Sequence, residues 1–387
     1  MERSSIDRTV GVVGGGQLGR MMAEAATPLG VSVSVLDPSD PAPAAAAAAD
    51  QIVADFDDES AIRSLADRVD VLTYEIELAD PDVLESVAEE TGTPVHPAPA
   101  TLRMIQDKAV QKEAFAREDI PVPRFRRVDT AAELRATCEE FGYPTMLKAR
   151  TGGYDGRGNV PVTDPSTVDA AFAEIAGPAM VEAHVDFVRE LSVIGVRGPD
   201  GIDTYPPVEN VHEAEILRET IVPARTTAAV NVRATAVAKQ VMELLEGRGV
   251  YGIELFETAD GSILVNEVAP RPHNSGHWTI EGAVHSQFEQ HVRAVLGVPI
   301  GSCRLRGPIV TANLLGDVET PQPATPTGID SILESSDTTL HWYGKREVRP
   351  LRKMGHIAVV DPAVDDPTVL LARARQRADL VQFAGDA

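Results

Sequence analysis

Four stretches of this chain place reactive residue types at spacings that suggest chemistry. The sharpest is GIELFETADGSILVNE (252–267). Asp260-Gly261 is a strong two-residue hairpin signal between apolar strands. Counting outward from it, Ala259 faces Ser262 and Glu254 faces Glu267 on one side of the ribbon. Two carboxylates at about 5 Å between Cβ atoms repel each other unless a positive group lies between them. A hard divalent cation does this, and Mg²⁺ is commonly held by one or two carboxylates plus nucleotide phosphates. The plainer reading is a solvated edge pair.

The second stretch is LKARTGGYDGRGN (147–159). An apolar strand delivers Lys148 to a run containing Gly152, Gly153, Gly156 and Gly158. A lysine at the base of a glycine-rich flap suits a triphosphate: backbone N–H groups cradle it, the ammonium offsets its charge, and closure excludes water. No G-K-[ST] follows, so this is not a Walker loop. The third, GVVGGGQLG, carries G-x-G-x-x-G at Gly14, Gly16 and Gly19 between a strand and a helix, which makes an anion site. Asp37 ends the next strand, where a ribose-binding acid would sit, so an NAD-dependent dehydrogenase is a rival reading. The fourth, MVEAHVDFVREL, has Glu182 and Glu190 flanking a strand-to-strand hinge, suited to an adenine amine or a ribose hydroxyl.

These residues need a scaffold. The segments TVGVVGGG, QLGRMMAEAATPLG and VSVSVLD read as a βαβ unit with its helix ending near Gly30. The alanine run at 44–49, beside prolines, reads as a surface loop. Residues 96–118 read as mostly helix. A second unit holds a helix near 130–141, the strand PTMLKAR, the flap and a strand near 178–182. A third starts with the long strand FVRELSVIGVRG, with helices near 229–247 and 280–296. The tail from about 302 reads as short strands and turns. The expected class is α/β, in four parts: a Rossmann-like domain (1–107), a small lobe with the flap (108–186), a large lobe with the paired glutamates (187–301) and a β-rich C-terminal region (302–387).

Composition narrows the partners. A net charge of −24 repels nucleic acid and anionic membranes. No apolar run reaches the roughly 18 residues of a membrane span, and the polar start MERSSIDRTV does not read as a signal peptide. Cys138 and Cys303 have no metal spacing and read as thiols of a reducing cytoplasm. Only Lys108, Lys112, Lys148, Lys239, Lys345 and Lys353 among the 35 basic residues are lysines. An acidic, lysine-poor surface fits a high-salt cytoplasm, and a retained lysine is one whose compact ammonium is needed.

Taken together, GVVGGGQLGRMM, KARTGGYDGRGN, NVHEAEILRETIVPA, NEVAPRPHNSGHWTIEGA and YGKREVRPLRKMGHI resemble the ATP-grasp superfamily, over about residues 8–360. Within it the resemblance is to the N5-carboxyaminoimidazole ribonucleotide synthetase family of purine biosynthesis. That resemblance implies an α+β ATP-grasp fold and a ligase that uses ATP and bicarbonate to carboxylate aminoimidazole ribonucleotide through carboxyphosphate. It implies that Lys108 and Lys148 meet the phosphates and that Gly153, Tyr154, Asp155, Gly156, Arg157 and Gly158 form the flap. Glu182, Ala183, His184 and Val185 would frame the adenine, Glu190 the ribose, and His212 would lie near the nucleotide. Glu254 and Glu267 would hold Mg²⁺, or Mn²⁺, with Asn266 adjacent. Gly16, Gln17, Leu18, Glu75 and Asn274 would face the ribonucleotide, and Lys345, Arg352 and Lys353 its 5′-phosphate or the bicarbonate-derived group. Lys148, Tyr154, Arg271, His273 and Lys353 are the catalytic candidates, His273 for proton handling. A homodimer and a functional link to a carboxymutase are further implications. The chain departs from the pattern at Ala269 and Leu78, where asparagine is expected, and at Arg157, where lysine is common. The Leu78 change puts a substrate role for Glu77 in doubt. A formate-dependent glycinamide ribonucleotide transformylase is the nearest rival, against which HNSGHW and the RPLRKMGH tail speak.

Overall fold

The computed structural model describes residues 7–152 and 158–383. Three larger sheets organise them, beside two two-stranded ribbons in the tail. The first is parallel, in the order Asp50–Ile52, Ser32–Leu36, Thr9–Val13, Val71–Tyr74. Ser32–Leu36, Thr9–Val13 and Val71–Tyr74 are almost wholly buried because helices cover both faces, whereas the edge strand Asp50–Ile52 is polar and partly exposed. Gln17–Ala26 packs on one side, and Glu59–Ala66 and Pro81–Thr91 on the other. The order reverses at Thr9–Val13, and the crevice beyond the carboxyl ends there is where such sheets take ligands.

The second sheet has four antiparallel strands: Phe125–Val128, Ala179–Ala183, Thr145–Ala149 and Asn159–Val162. Helices Ala131–Phe141 and Val168–Ile175 pack against it. The first of these starts in a capping box, with Thr130 and Glu133 satisfying each other's backbone N–H groups. The third sheet has nine strands and begins with the hairpin Gly249–Thr258 and Ile263–Ala269, next to Phe187–Gly198. It runs on through Val208–Glu213 and Ile216–Val222 into Ile309–Leu315, Lys353–Val359 and Thr338–Trp342. The tail strands therefore extend the same sheet that carries the paired glutamates.

Several local expectations need correction. The stretch 96–118 is mostly helix, as expected, but in two pieces, Pro99–Gln106 and Lys108–Arg117, because Asp107 caps the second through the N–H groups of Ala109 and Val110. The stretch 280–296 is likewise divided into Thr279–Gly282 and Gln287–Val295, the latter capped by Ser286. The alanine run is not a plain surface loop: Pro43–Ala46 makes a 3₁₀ turn, Ala44 is fully buried, and its N–H donates to the Gly15 carbonyl. The tail also holds a twelve-residue helix, Pro367–Ala378. Its signal was present as Asp366 at the cap, Pro367 in the first turn, and Leu370, Leu371 and Ala374 on one face.

His291 joins the parallel sheet to the large one. Its Nδ1 accepts from the Val250 N–H at 3.1 Å, so Nε2 carries the proton and donates to Thr73 Oγ1 at 2.8 Å. Burial, helped by the charge of His96, pulls its pKa down to about 3, and burial with Arg248 pulls His96 to about 4. The unfolded chain takes up these protons near pH 6.5 and the folded chain does not. Stability is therefore retained above pH 6.5 and lost as the pH falls towards 3, by up to about 1.4 kcal/mol per pH unit for each ring. Urea unfolding between pH 7 and 5 should show this loss. His291→Gln should make it shallower, and an unchanged slope would remove His291 from the explanation.

Candidate active site

The glycine turn after Thr9–Val13 is built as expected, but its N–H groups are already taken. Glu75, just past Val71–Tyr74, accepts from the N–H of Gly16 and, at 2.6 Å, from that of Gly19. Asp37 accepts from the N–H of Gly15 at 2.8 Å. Gly14 sits at φ +108°, and a Cβ there would lie 2.4 Å from Glu75 Cγ. The turn thus holds the protein's own carboxylates, which leaves no cradle for the pyrophosphate of a dinucleotide. Burial outweighs these N–H bonds and raises the Glu75 pKa to about 7. Gly16, Gln17, Leu18 and Glu75 nonetheless line a cleft of about 440 Å³.

The opposite wall of that cleft carries Glu254 and Glu267. They face each other in register, as the hairpin count requires, but by a different route. Gly261, at φ +76°, closes a three-residue turn in which Thr258 meets Ser262. That shifts the register by one, and a β-bulge between Glu254 and Leu255 shifts it back, leaving Asn266 as the extra residue. The two-residue turn was wrong and the pairing it predicted is right, because the two displacements cancel. The same hairpin needs Gly252, where a Cβ would lie 2.5 Å from the Cβ of His273.

Each candidate carboxylate on this side lies against a candidate base. Lys108 Nζ is 2.8 Å from Glu267 Oε1, and Lys148 Nζ is 2.7 Å from Glu182 Oε2. His212 Nδ1 is 2.7 Å from Glu190 Oε2, and His273 Nε2 is 3.6 Å from Glu254 Oε1. The order of elements explains the convergence. Asp107, held by Arg150, starts the helix that presents Lys108, whose own N–H donates to the Arg150 carbonyl at 2.9 Å. Lys148 and Glu182 share one face of the small sheet, as diagonal neighbours on paired strands.

Charge within the site is finely divided. Enclosure raises the Glu254 pKa to about 7, and the carboxylates of Glu267 and Glu190 add to the rise against His212 and Lys353. Glu267, half-exposed on the cleft, is held low by Lys108 despite desolvation. Burial works against charge on Lys148 and His212, yet Glu182 and Glu190 respectively keep both pKa values above their ordinary ranges. The crowded pair of hard oxygen donors fits Mg²⁺. Among the described residues no third His, Cys, Asp or Glu completes such a group, and Ala269, level with Gly252, offers no donor. Phosphate oxygens and water would supply the remaining positions.

Arg271, His273, Asn274 and Lys353 also line the cleft. Arg271 is held by Glu77, with Nη2 at 2.9 Å from Oε2 and 2.8 Å from Oε1, so the Glu77 carboxylate is engaged by the protein's own guanidinium. His273 Nδ1 accepts from the Ser275 N–H at 3.3 Å and lies 2.8 Å from Ser275 Oγ, which places the ring proton on Nε2. Lys345 and Arg352 are not on the cleft wall: Lys345 donates to the Lys353 carbonyl at 2.7 Å, and Arg352 to that of Glu347 at 2.8 Å. Ala183 ends the strand that carries Glu182, and His184 and Val185 lie in the short connection to Phe187–Gly198. The Gly158 carbonyl accepts from the Ala149 N–H at 2.7 Å. Gly153, Tyr154, Asp155, Gly156 and Arg157 lie outside the described residues. Sequence reasoning passed over Lys112, which is 1% exposed beside Glu182. Its spacing of four from Lys108, in a chain so short of lysine, was the available signal.

Comparison with known proteins agrees with this geometry. Residues 7–106 match the ribonucleotide synthetase preATP-grasp domain, 113–288 the ATP-grasp domain, and 310–367 the phosphoribosylaminoimidazole carboxylase C-terminal domain. The chain is 38% identical to the N5-carboxyaminoimidazole ribonucleotide synthase of Bacillus subtilis, over 92% of each chain. It is 41% identical to the phosphoribosylaminoimidazole carboxylase of Ogataea methanolica over 93% of its own length, and it spans about two thirds of that longer protein (67%). Among solved structures, the N5-carboxyaminoimidazole ribonucleotide synthetase of Thermotoga maritima superposes with a TM-score of 0.88 at 40% identity, over 98% of this chain and 100% of that one. The Aspergillus clavatus enzyme, solved with ADP and 5-aminoimidazole ribonucleotide, gives 0.90 at 36% identity, over 97% and 100%. With its cleft between a Rossmann-like sheet and a facing glutamate pair, and with relatives of this likeness along nearly its whole length, the chain belongs to the N5-carboxyaminoimidazole ribonucleotide synthase family of ATP-grasp ligases.

Proposed function

We infer that the protein catalyses ATP-dependent carboxylation of 5-aminoimidazole ribonucleotide by bicarbonate, giving N5-carboxyaminoimidazole ribonucleotide, ADP and phosphate in purine biosynthesis. The observation that carries the reading is the Glu254–Glu267 pair, flanked by Lys108 and Lys148, on a cleft that reaches the glycine turn and Glu75. A bicarbonate oxygen attacks the γ-phosphorus of ATP, the bond to the ADP oxygen breaks, and carboxyphosphate forms. The exocyclic amine of the ribonucleotide then bonds to the carboxyl carbon as phosphate leaves, carrying the amine proton with it. Phosphoryl transfer of this kind is chiefly positioning and electrostatics. Lys108 and Lys148 hold the phosphates, and Arg271, braced by Glu77, holds the anionic carboxyl group. His273, which keeps its proton on Nε2, donates a hydrogen bond to an oxygen of the departing phosphate. A Mg²⁺ ion on Glu254 and Glu267, with Mn²⁺ as the alternative, would supply neutralisation of the triphosphate charge.

The finer parts of the reading are a homodimer, a cytoplasmic setting, a carboxymutase as functional partner, the four-part division of the chain and the individual residue roles given above. The deciding assay is ADP release with Mg-ATP and bicarbonate, with and without the ribonucleotide. Release that needs the ribonucleotide supports the reading. Release stimulated by a different amine keeps the ATP-grasp chemistry and changes the substrate. The net charge of −24 adds a condition. Carboxylates crowded on one surface repel each other unless screened, so the rate should rise with KCl into the molar range. Full activity and stability in dilute buffer would end the halophilic part of the reading.

A further inference from the structure

Lys112 is buried, charged and unused by the mechanism above. It lies one turn along Lys108–Arg117 from Lys108, on the same side of the helix. Lys108 reaches the cleft; Lys112 is only 1% exposed. Its ammonium donates to the Val265 carbonyl at 3.0 Å and sits 3.0 Å from Glu182 Oε1, as an ion pair. The other oxygen of Glu182 faces Lys148 at 2.7 Å. Val265 immediately precedes the bulged Asn266, whose Oδ1 accepts from Lys148 at 3.4 Å, and Glu267 follows. One ammonium therefore joins a helix, a strand of the four-stranded sheet and the metal-side strand of the nine-stranded sheet.

We propose that Lys112 is a positioning residue of the nucleotide site, which fixes Glu182 so that Lys148 points at the phosphates and pins the Val265 carbonyl that sets Asn266 and Glu267. Stability alone gives no reason to keep it, because a buried ion pair is often no better than apolar residues of the same volume. Composition points the same way. Only six of the 35 Lys and Arg residues in this chain are lysine. A planar guanidinium cannot serve as a compact point donor between one carbonyl and one carboxylate oxygen. Two ammoniums on a single carboxylate also leave net positive charge directly behind the phosphates. The titration pattern agrees: burial pulls Lys112 down to about 8, while the two ammoniums overcome burial to hold Glu182 at about 2.

The inference rests on the nucleotide reading above, so its test begins with binding. Titration calorimetry of Mg-ADP into the full chain should show binding, and Lys112→Met should weaken it by about 10–100-fold, the range for partners that orient a ligand-holding group. KM for ATP should rise by a similar factor while KM for the ribonucleotide stays put. In a Lys148→Met background the further loss from Lys112→Met should be small, because the two act on one group. Lys112→Gln, which keeps a donor for the Val265 carbonyl, serves if the methionine variant does not fold. A folded variant that binds Mg-ADP as wild type does, or that raises both KM values equally, overturns the proposal. Wild-type protein that binds no Mg-ADP overturns the nucleotide reading itself, and this one with it.

Discussion

Glu267→Ala should lower ADP release by at least about a hundredfold, the cost of removing one preorganised group that stabilises transferring charge. The residue faces Glu254 across the hairpin and holds Lys108 at 2.8 Å, so its loss removes half of the carboxylate pair and the partner of the Lys108 ammonium. The fold should survive. The Glu267 side chain is half-exposed, Lys108 keeps access to the cleft, and the bulge is set by backbone pairing. Steady-state ADP release, measured beside the unfolding midpoint, separates the two effects. A variant that folds normally and keeps its rate within a few-fold would show that Glu267 carries no metal.

Lys148→Met should cost about 10²–10³ in kcat/KM for ATP if, as proposed, the ammonium offsets the charge of the transferring group. Here too the structure predicts survival of the fold. Glu182 keeps Lys112 at 3.0 Å, so no carboxylate is left buried alone. Lys148→Arg should recover little of the loss. The ammonium fits between Glu182 and Asn266 in a place only 12% exposed, and a guanidinium neither fits it nor matches its point-donor geometry. Initial rates over a range of ATP concentrations check both variants. If arginine restored the wild-type rate, charge alone would account for Lys148 and the tight placement would be irrelevant.

Much of the scaffold was legible because its causes are local. The glycine turn leads into a helix because Gly14 can take φ +108° and the apolar run before it is a strand. The long strand Phe187–Gly198 and the helix Ala228–Leu244 declare themselves through period and length. Where the reading failed locally, a cap was overlooked: Ser286 divided what looked like one helix, and Asp366 began one that looked like turns. The carboxylate pair shows the limit of such counting. Its register came out right only because a longer turn and a bulge offset each other, and neither displacement leaves a mark in the pattern of apolar residues.

By itself, then, the sequence determined the element types, the lysine at the root of the glycine run, the candidate acids and, through resemblance, the family. Tertiary structure alone decided who partners whom. Glu75 is far along the chain from Gly16 and Gly19, yet it occupies the N–H groups that a free anion would use. Glu77 reaches Arg271 across the cleft, and Lys112 reaches Val265 through the interior. The physical reason is one of range. Turns, caps and periodicity depend on neighbours within a few residues. The worth of a charge depends on burial and on the nearest opposite charge, and both are set only when distant segments pack together.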